Sequence, residues 1–227
     1  MIKTDQVKIP IALLEKRADG VSGDEELLIE KNLIKNKIAK SLRINADEIE
    51  DIKVLRRSID ARDKSDILYV YNVAFSYRGD KKRLLDRHRS LTKYEPKVFF
   101  IGQKKCDKRI VVTGAGPAGL FCAYALCLSG NPPVLIERGR PVEERRRDVD
   151  RFWESGLLDT ASNVQFGEGG AGAFSDGKLN TLIKDRDGSM RFVLKTLVKF
   201  GAPSDILYDY KPHIGTDILI DVIKNMR

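Results

Sequence analysis

The residues best suited to chemistry form one short run, GAGPAG, at positions 114–119. An apolar stretch, RIVVT (109–113), precedes it, and an alanine-rich stretch, LFCAYALCLSG (120–130), follows it. NPP then turns the chain into VLIE (134–137). The order reads as strand, tight turn, helix, strand, with both strands expected to be buried. In that context each glycine has a distinct physical reason. Gly114 permits the tight turn, Gly116 lets main chain approach a diphosphate with no Cβ in the way, and Gly119 lets the helix pack closely on the strand. Pro117 and Ala118 open the helix, whose free N–H groups and partial positive charge suit phosphate oxygens. Glu137 lies eighteen residues beyond Gly119, where a carboxylate accepts hydrogen bonds from the hydroxyls of an adenosine ribose. Its charge repels a 2′-phosphate and so disfavours NADP at this site. Arg138 follows and is placed to reach the adenosine or the phosphates.

A second cluster, FGEGGAGAFSDGK (166–178), holds five glycines in thirteen positions. An ordinary helix interior is excluded, because each glycine costs about 1 kcal/mol relative to alanine there. A flexible linker is a poor alternative, since such linkers are Ser-rich and lack aromatics. A backbone that passes very close to something flat or charged is the remaining reading.

The pattern GxGxxGxxxAxxLxxxG followed by Glu is shared by FAD and NAD sites, so spacing alone leaves the dinucleotide open. The order of motifs goes further. VVTGAGPAGLFCAYAL, LIERGRPVEERRRDVDRFWESG, SNVQFGEGGAGAFSDGKLNT and PHIGTDILIDVIKNMR together resemble a family of FAD-dependent dehydrogenases of bacteria and archaea, largely of unassigned substrate. The resemblance covers nearly all of residues 109–227. It implies FAD as cofactor, a small-molecule substrate, NAD(P)H as a candidate reductant, and a small α/β module ahead of the flavin domain. It also implies that the glycine loop runs beside the flavin or its diphosphate. Gly169, Gly170 and Gly172 would make the approach, Ser175 and Asp176 would add side-chain hydrogen bonds, and Lys178 would place positive charge near the ring. More chain beyond residue 227 is implied as well. The sequence therefore reads as the N-terminal part of a flavoprotein, expected by itself to hold FAD weakly or not at all.

The elements that must position these groups fall into two regions. Residues 1–105 read as a small α+β module of ferredoxin-like βαββ order. VKIPIAL (7–13) is its first strand, and Ser22 or Asp24 caps a helix buried through Leu27, Leu28, Leu33, Ile34, Ile38 and Leu42. IEDIKVLRRSID and DILYVYNVAFSY are two further strands. GQKKCDK (102–108) is the expected joint. Residues 106–227 form the incomplete Rossmann-like, FAD/NAD(P)-binding part, an α/β arrangement. Within it GRPVEERRRDVDRFW is an amphipathic helix with a solvated basic face and Val142, Val149, Phe152 and Trp153 on its apolar side. DILIDVIKNM is a last helix, capped by Thr216 or Asp217.

Composition excludes several other classes. The net charge of +8 with 33% charged residues fits a holder of polyanions. No apolar run approaches the ~20 residues of a membrane span, and the N-terminus lacks a signal peptide's apolar core. Three cysteines make neither a CxxC pair nor an even disulfide framework, which favours a reducing cytoplasm. Cys122 and Cys127 are expected to be small buried residues. His213 is either an acid/base group or, more commonly for a histidine beside a helix cap, structural. No metal-ligand spacing and no nucleophile elbow occur, so no catalytic residue is named. The alternatives are an NAD-binding dehydrogenase domain, which has no use for a second glycine cluster, and a basic RNA- or partner-binding protein with a vestigial nucleotide fold. The run KKRLLDRHRS (81–90) raises the latter, but lacks the interleaved aromatics of RNA-binding modules.

Overall fold

The computed structural model describes residues 1–18, 23–175, 177–179, 181 and 184–227. The proposed cap Ser22 and the site candidate Asp176 lie outside the described residues. The fold is mixed α/β. Among the described residues it has seven α-helices, an antiparallel sheet and a small parallel sheet. The chain divides into two compact units, Met1–Pro96 with Tyr208–Tyr210, and Lys97–Leu207 with Lys211–Arg227. The division at Pro96 falls before the charged segment 102–108 expected to be the joint.

In the first unit β1 (Ile2–Pro10) runs directly into α1 (Ile11–Ala18), so the strand begins and ends earlier than the stretch 7–13 suggests. Helix α2 (Gly23–Leu42) leads to β2 (Ile49–Asp60), β3 (Leu68–Tyr77), α3 (Lys81–Arg87) and β4 (Thr92–Lys93). Asp24 lies inside α2 and is not its cap. The sheet order is β2-β3-β1-β4, with all neighbours antiparallel. Ile34, Ile38 and Leu42 of α2 join Ile2, Val73 and Phe75 in the core. Leu28 is exposed, contrary to expectation. Counting back in fours from Leu42, the buried stripe reaches Glu30 instead, because a helix face recurs every three to four residues. Asp80 caps α3 by accepting from the Arg83 N–H at 3.0 Å, so the basic run 81–90 begins as a short helix. Its Leu84 is buried.

Glu30 tolerates burial because it has partners. Its Oε1 accepts from the Tyr71 hydroxyl at 2.6 Å and lies 3.6 Å from an Arg57 nitrogen. Arg57 also donates twice to Asp209, at 2.7 and 3.1 Å. Burial works against the Arg57 charge, but Asp209, Tyr208 and Glu30 outweigh it and push its pKa up. Burial and then Glu30 push the Tyr71 hydroxyl up as well. Main-chain bonds from Arg57 N–H to Tyr208 O (2.7 Å) and from Tyr210 N–H to Arg57 O (2.9 Å) seat Tyr208–Tyr210 beside β2.

The second unit opens with β5 (Val111–Thr113), α4 (Pro117–Leu128) and β6 (Val134–Ile136), and the two strands pair in parallel. α5 (Val142–Ser155), α6 (Ser189–Lys199) and α7 (Thr216–Met226) follow. The strands are not buried as expected, since Val111 is 51% and Ile136 52% exposed. Cys122 and Cys127 are exposed too, against the expectation of burial. A sheet of two three-residue strands offers α4 little surface, and Leu120 is the residue it buries. α5 matches the amphipathic stretch, with Val142 and Val149 buried, but Trp153 is 70% exposed. Arg145 instead occupies the buried side, between Val142 and Val149 on the stripe. Gly215, and neither Thr216 nor Asp217, caps α7; Thr216 donates to Ser175 O at 2.9 Å.

Candidate functional site

A strand, a turn and a helix follow one another at 111–128, and Gly114 and Gly119 take the turn and packing positions that their spacing assigned. The Gly114 N–H donates to Ile136 O at 2.6 Å, and Gly114 has φ +91°, which a side chain would strain. A Cβ on Gly119 would fall 1.8 Å from Gly114 O, so helix and turn meet there main chain to main chain. A Cβ on Gly116 would meet nothing within 4 Å, nor would one on Gly114. Bare main chain at the turn thus fronts open space. Gly116 is the N-cap of α4, with no side chain capping it, and Pro117 and Ala118 are exposed in the first turn. Pro117 has no N–H, so the uncapped donors of this exposed first turn are those of Ala118 and Gly119, at the helix end where anions are favoured.

Glu137 sits at the mouth of this turn. Its carboxylate accepts from the Ala115 N–H at 2.6 Å and from the Gly139 N–H at 2.8 Å. Burial works to raise its pKa. Hydrogen bonds from the N–H groups of Gly139, Ala115 and Arg138, with the charge of Arg145, outweigh burial and hold the carboxyl below the usual range. The side chain is therefore ionised at neutral pH. Arg138 is exposed, its guanidinium 4.1 Å from the centroid of the Phe166 ring.

A pH test follows. Because the folded pKa is depressed, Glu137 stabilises the fold above its unfolded pKa of about 4.3, and that contribution disappears as pH falls through the folded value. Glu137→Gln is expected to melt below the wild type at pH 7 and to converge with it in strong acid. An equal gap in melting temperature at pH 7 and pH 3 would contradict this.

The second glycine cluster lies against the first. The Gly169 N–H donates to Ala115 O at 2.8 Å, and a Cβ on Gly170 would come 3.1 Å from Pro117 Cδ and 3.6 Å from Gly116 Cα. A Cβ on Gly169 would strike Ile223 at 2.5 Å, one on Gly167 would strike Arg145 at 2.4 Å, and one on Gly177 would strike Ile214 O at 1.7 Å. Of Gly169, Gly170 and Gly172, the last alone has open space at its Cβ position. The loop is bare chiefly because it packs on other protein atoms. Ser175 is exposed and donates to Gly172 O at 3.0 Å. Lys178 is exposed and bridges antiparallel to His213, itself exposed.

Sequence reasoning missed Arg145 and Glu168. Glu168 is buried; its Oε2 accepts from the Val142 N–H at 2.7 Å and from Arg227 at 2.9 Å. The signal for Arg145 was available in its place on the apolar stripe of α5. Among the described residues no cluster of His, Cys, Asp and Glu could hold a metal ion, and no helix is long and apolar enough to cross a membrane.

Residues 1–76 match a family model described as a domain of unknown function, DUF8436. An uncharacterized protein of Clostridium beijerinckii is 44% identical over 212 residues, which covers 92% of this chain and 39% of that protein. The chain thus spans about two fifths of the length of the curated relative to which it is similar.

Proposed function

We propose that this chain carries the dinucleotide-binding part of an FAD-dependent oxidoreductase. In this reading the second unit is a Rossmann-like FAD-binding domain and the first is a ferredoxin-like module, whose strand order β2-β3-β1-β4 suits that name. The observation that carries the reading is the ionised Glu137 carboxylate at the mouth of a turn whose Gly114 and Gly116 have no atom within 4 Å of their Cβ positions. In this reading the open side of that turn is where the diphosphate lies.

The residues present fit the group. Gly114, Gly116, Ala118 and Gly119 would meet the diphosphate, with the first turn of α4 supplying N–H donors. Glu137 would take the ribose hydroxyls, and its fixed negative charge would exclude a 2′-phosphate. Arg138 would lie near the adenosine, and Gly172 is the part of the second loop with room for the cofactor. FAD, when bound, would supply the redox chemistry, with NAD(P)H as reductant and a small molecule as substrate. The chain's own part is to bind, orient and exclude the wrong dinucleotide.

The test compares this chain with the longer Clostridium relative. Each is purified, heated and its released cofactor identified by mass. FAD near one per chain is expected from the relative, with far less from the 227-residue chain. Release of NAD, or of no nucleotide, from the longer protein would overturn the assignment.

A further inference from the structure

Arg145 is wholly buried, yet its partners are main-chain carbonyls. One terminal nitrogen donates to Glu168 O and to Gly170 O (3.1 Å), and the other to Asn163 O and Val164 O, each at 3.1 Å. The guanidinium also lies 4.8 Å from the centroid of the Phe174 ring. Its Nε is buried without a partner among the described residues. Burying a charge in this way is costly. Burial drives the Arg145 pKa down, and the charges of Glu137 and Glu168 oppose that. A hydrocarbon side chain would fill the same space more cheaply, so the planar fork needs its own explanation.

The peptide plane supplies one. The Glu168 C=O and the Gly169 N–H belong to one trans peptide and point in opposite directions. A guanidinium that holds Glu168 O on one side therefore aims the Gly169 N–H away from itself, where it donates to Ala115 O at 2.8 Å. The Ala115 N–H in turn donates to Glu137 at 2.6 Å. A continuous series of bonds runs from Arg145 through the 168–169 peptide and Ala115 to the Glu137 carboxylate. Gly167 is bare where Arg145 passes: a Cβ there would lie 2.4 Å from Cδ and 2.7 Å from Nε.

We propose that Arg145 is a positioning residue, which locks the second glycine loop onto the 114–119 turn and thereby orients Ala115 and Glu137 without touching any ligand. Its ligand half rests on the dinucleotide reading above; its structural half does not. Lysine at 145 keeps the charge but not the planar fork that serves four carbonyls.

The test measures hydrogen exchange at single amides and ADP affinity in the 227-residue chain. Arg145→Lys is expected to speed exchange of the Ala115 and Gly169 amides at least tenfold, to leave β3 amides unchanged and to weaken ADP at least tenfold. In Arg145→Ala, millimolar methylguanidinium is expected to restore both, whereas methylammonium, a charge without the fork, is not. Should Arg145→Ala fail to fold, the lysine variant decides alone. Unchanged Ala115 and Gly169 amides in that variant would overturn the proposal, as would wild-type ADP affinity in a folded Arg145→Ala. If the amides respond but the wild type binds no ADP, positioning stands and the dinucleotide reading falls.

Discussion

Gly119→Ala is expected to abolish nucleotide binding and to destabilise the second unit. The added methyl carbon would fall 1.8 Å from Gly114 O and 3.0 Å from the Gly114 carbonyl carbon, roughly half the separation that carbon and oxygen tolerate. Both clashing atoms are main chain, so no rotamer change relieves the overlap, and the turn or the helix must move by more than 1 Å. Overpacking of this kind costs about 1–3 kcal/mol in well-packed interiors. The displaced turn would also break the Gly114 N–H bond to Ile136 O and shift Ala115 away from Glu137. A loss of ADP affinity beyond tenfold, with a lowered melting temperature, is the expected result. Gly116→Ala separates the two effects, because its Cβ meets nothing within 4 Å. It should leave stability nearly unchanged and still impair binding, since the methyl group would occupy the ligand's space. Calorimetric titration and thermal melts of both variants check this; equal melting losses in the two would contradict it.

The second large effect concerns the first unit. Arg57→Met removes the cation that faces two acids, Glu30 at 3.6 Å and Asp209 at 2.7 Å. Glu30 is 5% exposed and would keep the Tyr71 hydroxyl as a partner, but it would lose the opposing charge. Breaking a buried pair by removing one member costs about 3–5 kcal/mol. The Arg57 side chain is 20% exposed, so solvent screening brings the expectation to the lower end, about 3 kcal/mol. Replacing both members, as Glu30→Leu with Arg57→Met, should recover much of that loss, because the buried acid is gone and Asp209, whose side chain is 30% exposed, is left to water. Urea unfolding of the two single variants and the double variant gives the coupling directly. Additive losses would show that the pair contributes nothing as a pair.

Local rules made some of this molecule legible from its residues and hid the rest. β2 coincides with IEDIKVLRRSID because its ends are marked by a turn on each side, and α7 matches DILIDVIKNM to within one residue because its apolar spacing is regular. The turn at 114–119 was legible for a different reason, since the backbone at Gly114 and the close approach at Gly119 admit only glycine. Glu30 and Arg145 were hidden because charged residues read as solvated unless a partner is known. Their partners, Arg57, Tyr71 and the carbonyls of 163–170, are distant in sequence. The exposure of Cys122, Cys127, Val111 and Ile136 was hidden too. An apolar strand or helix reads as buried, but its own residues do not say which element covers it. The second glycine loop is the opposite case: its bareness is plain in the residues, whereas the close packing it serves, on the first loop and on Arg145, joins segments far apart in sequence.

If main chain at 114–119 and the carboxylate of Glu137 together hold a dinucleotide, its adenosine diphosphate half should bind there by itself. Titration of the 227-residue chain with ADP and with its 2′-phosphorylated analogue, followed through the amides of Ala115, Gly116, Ala118 and Gly119, tests it most directly. Saturable shifts confined to that turn are expected with ADP, much weaker ones with the analogue, and relief of that discrimination in Glu137→Ala. Shifts scattered over basic surface residues, or none at the turn at millimolar ADP, would contradict it.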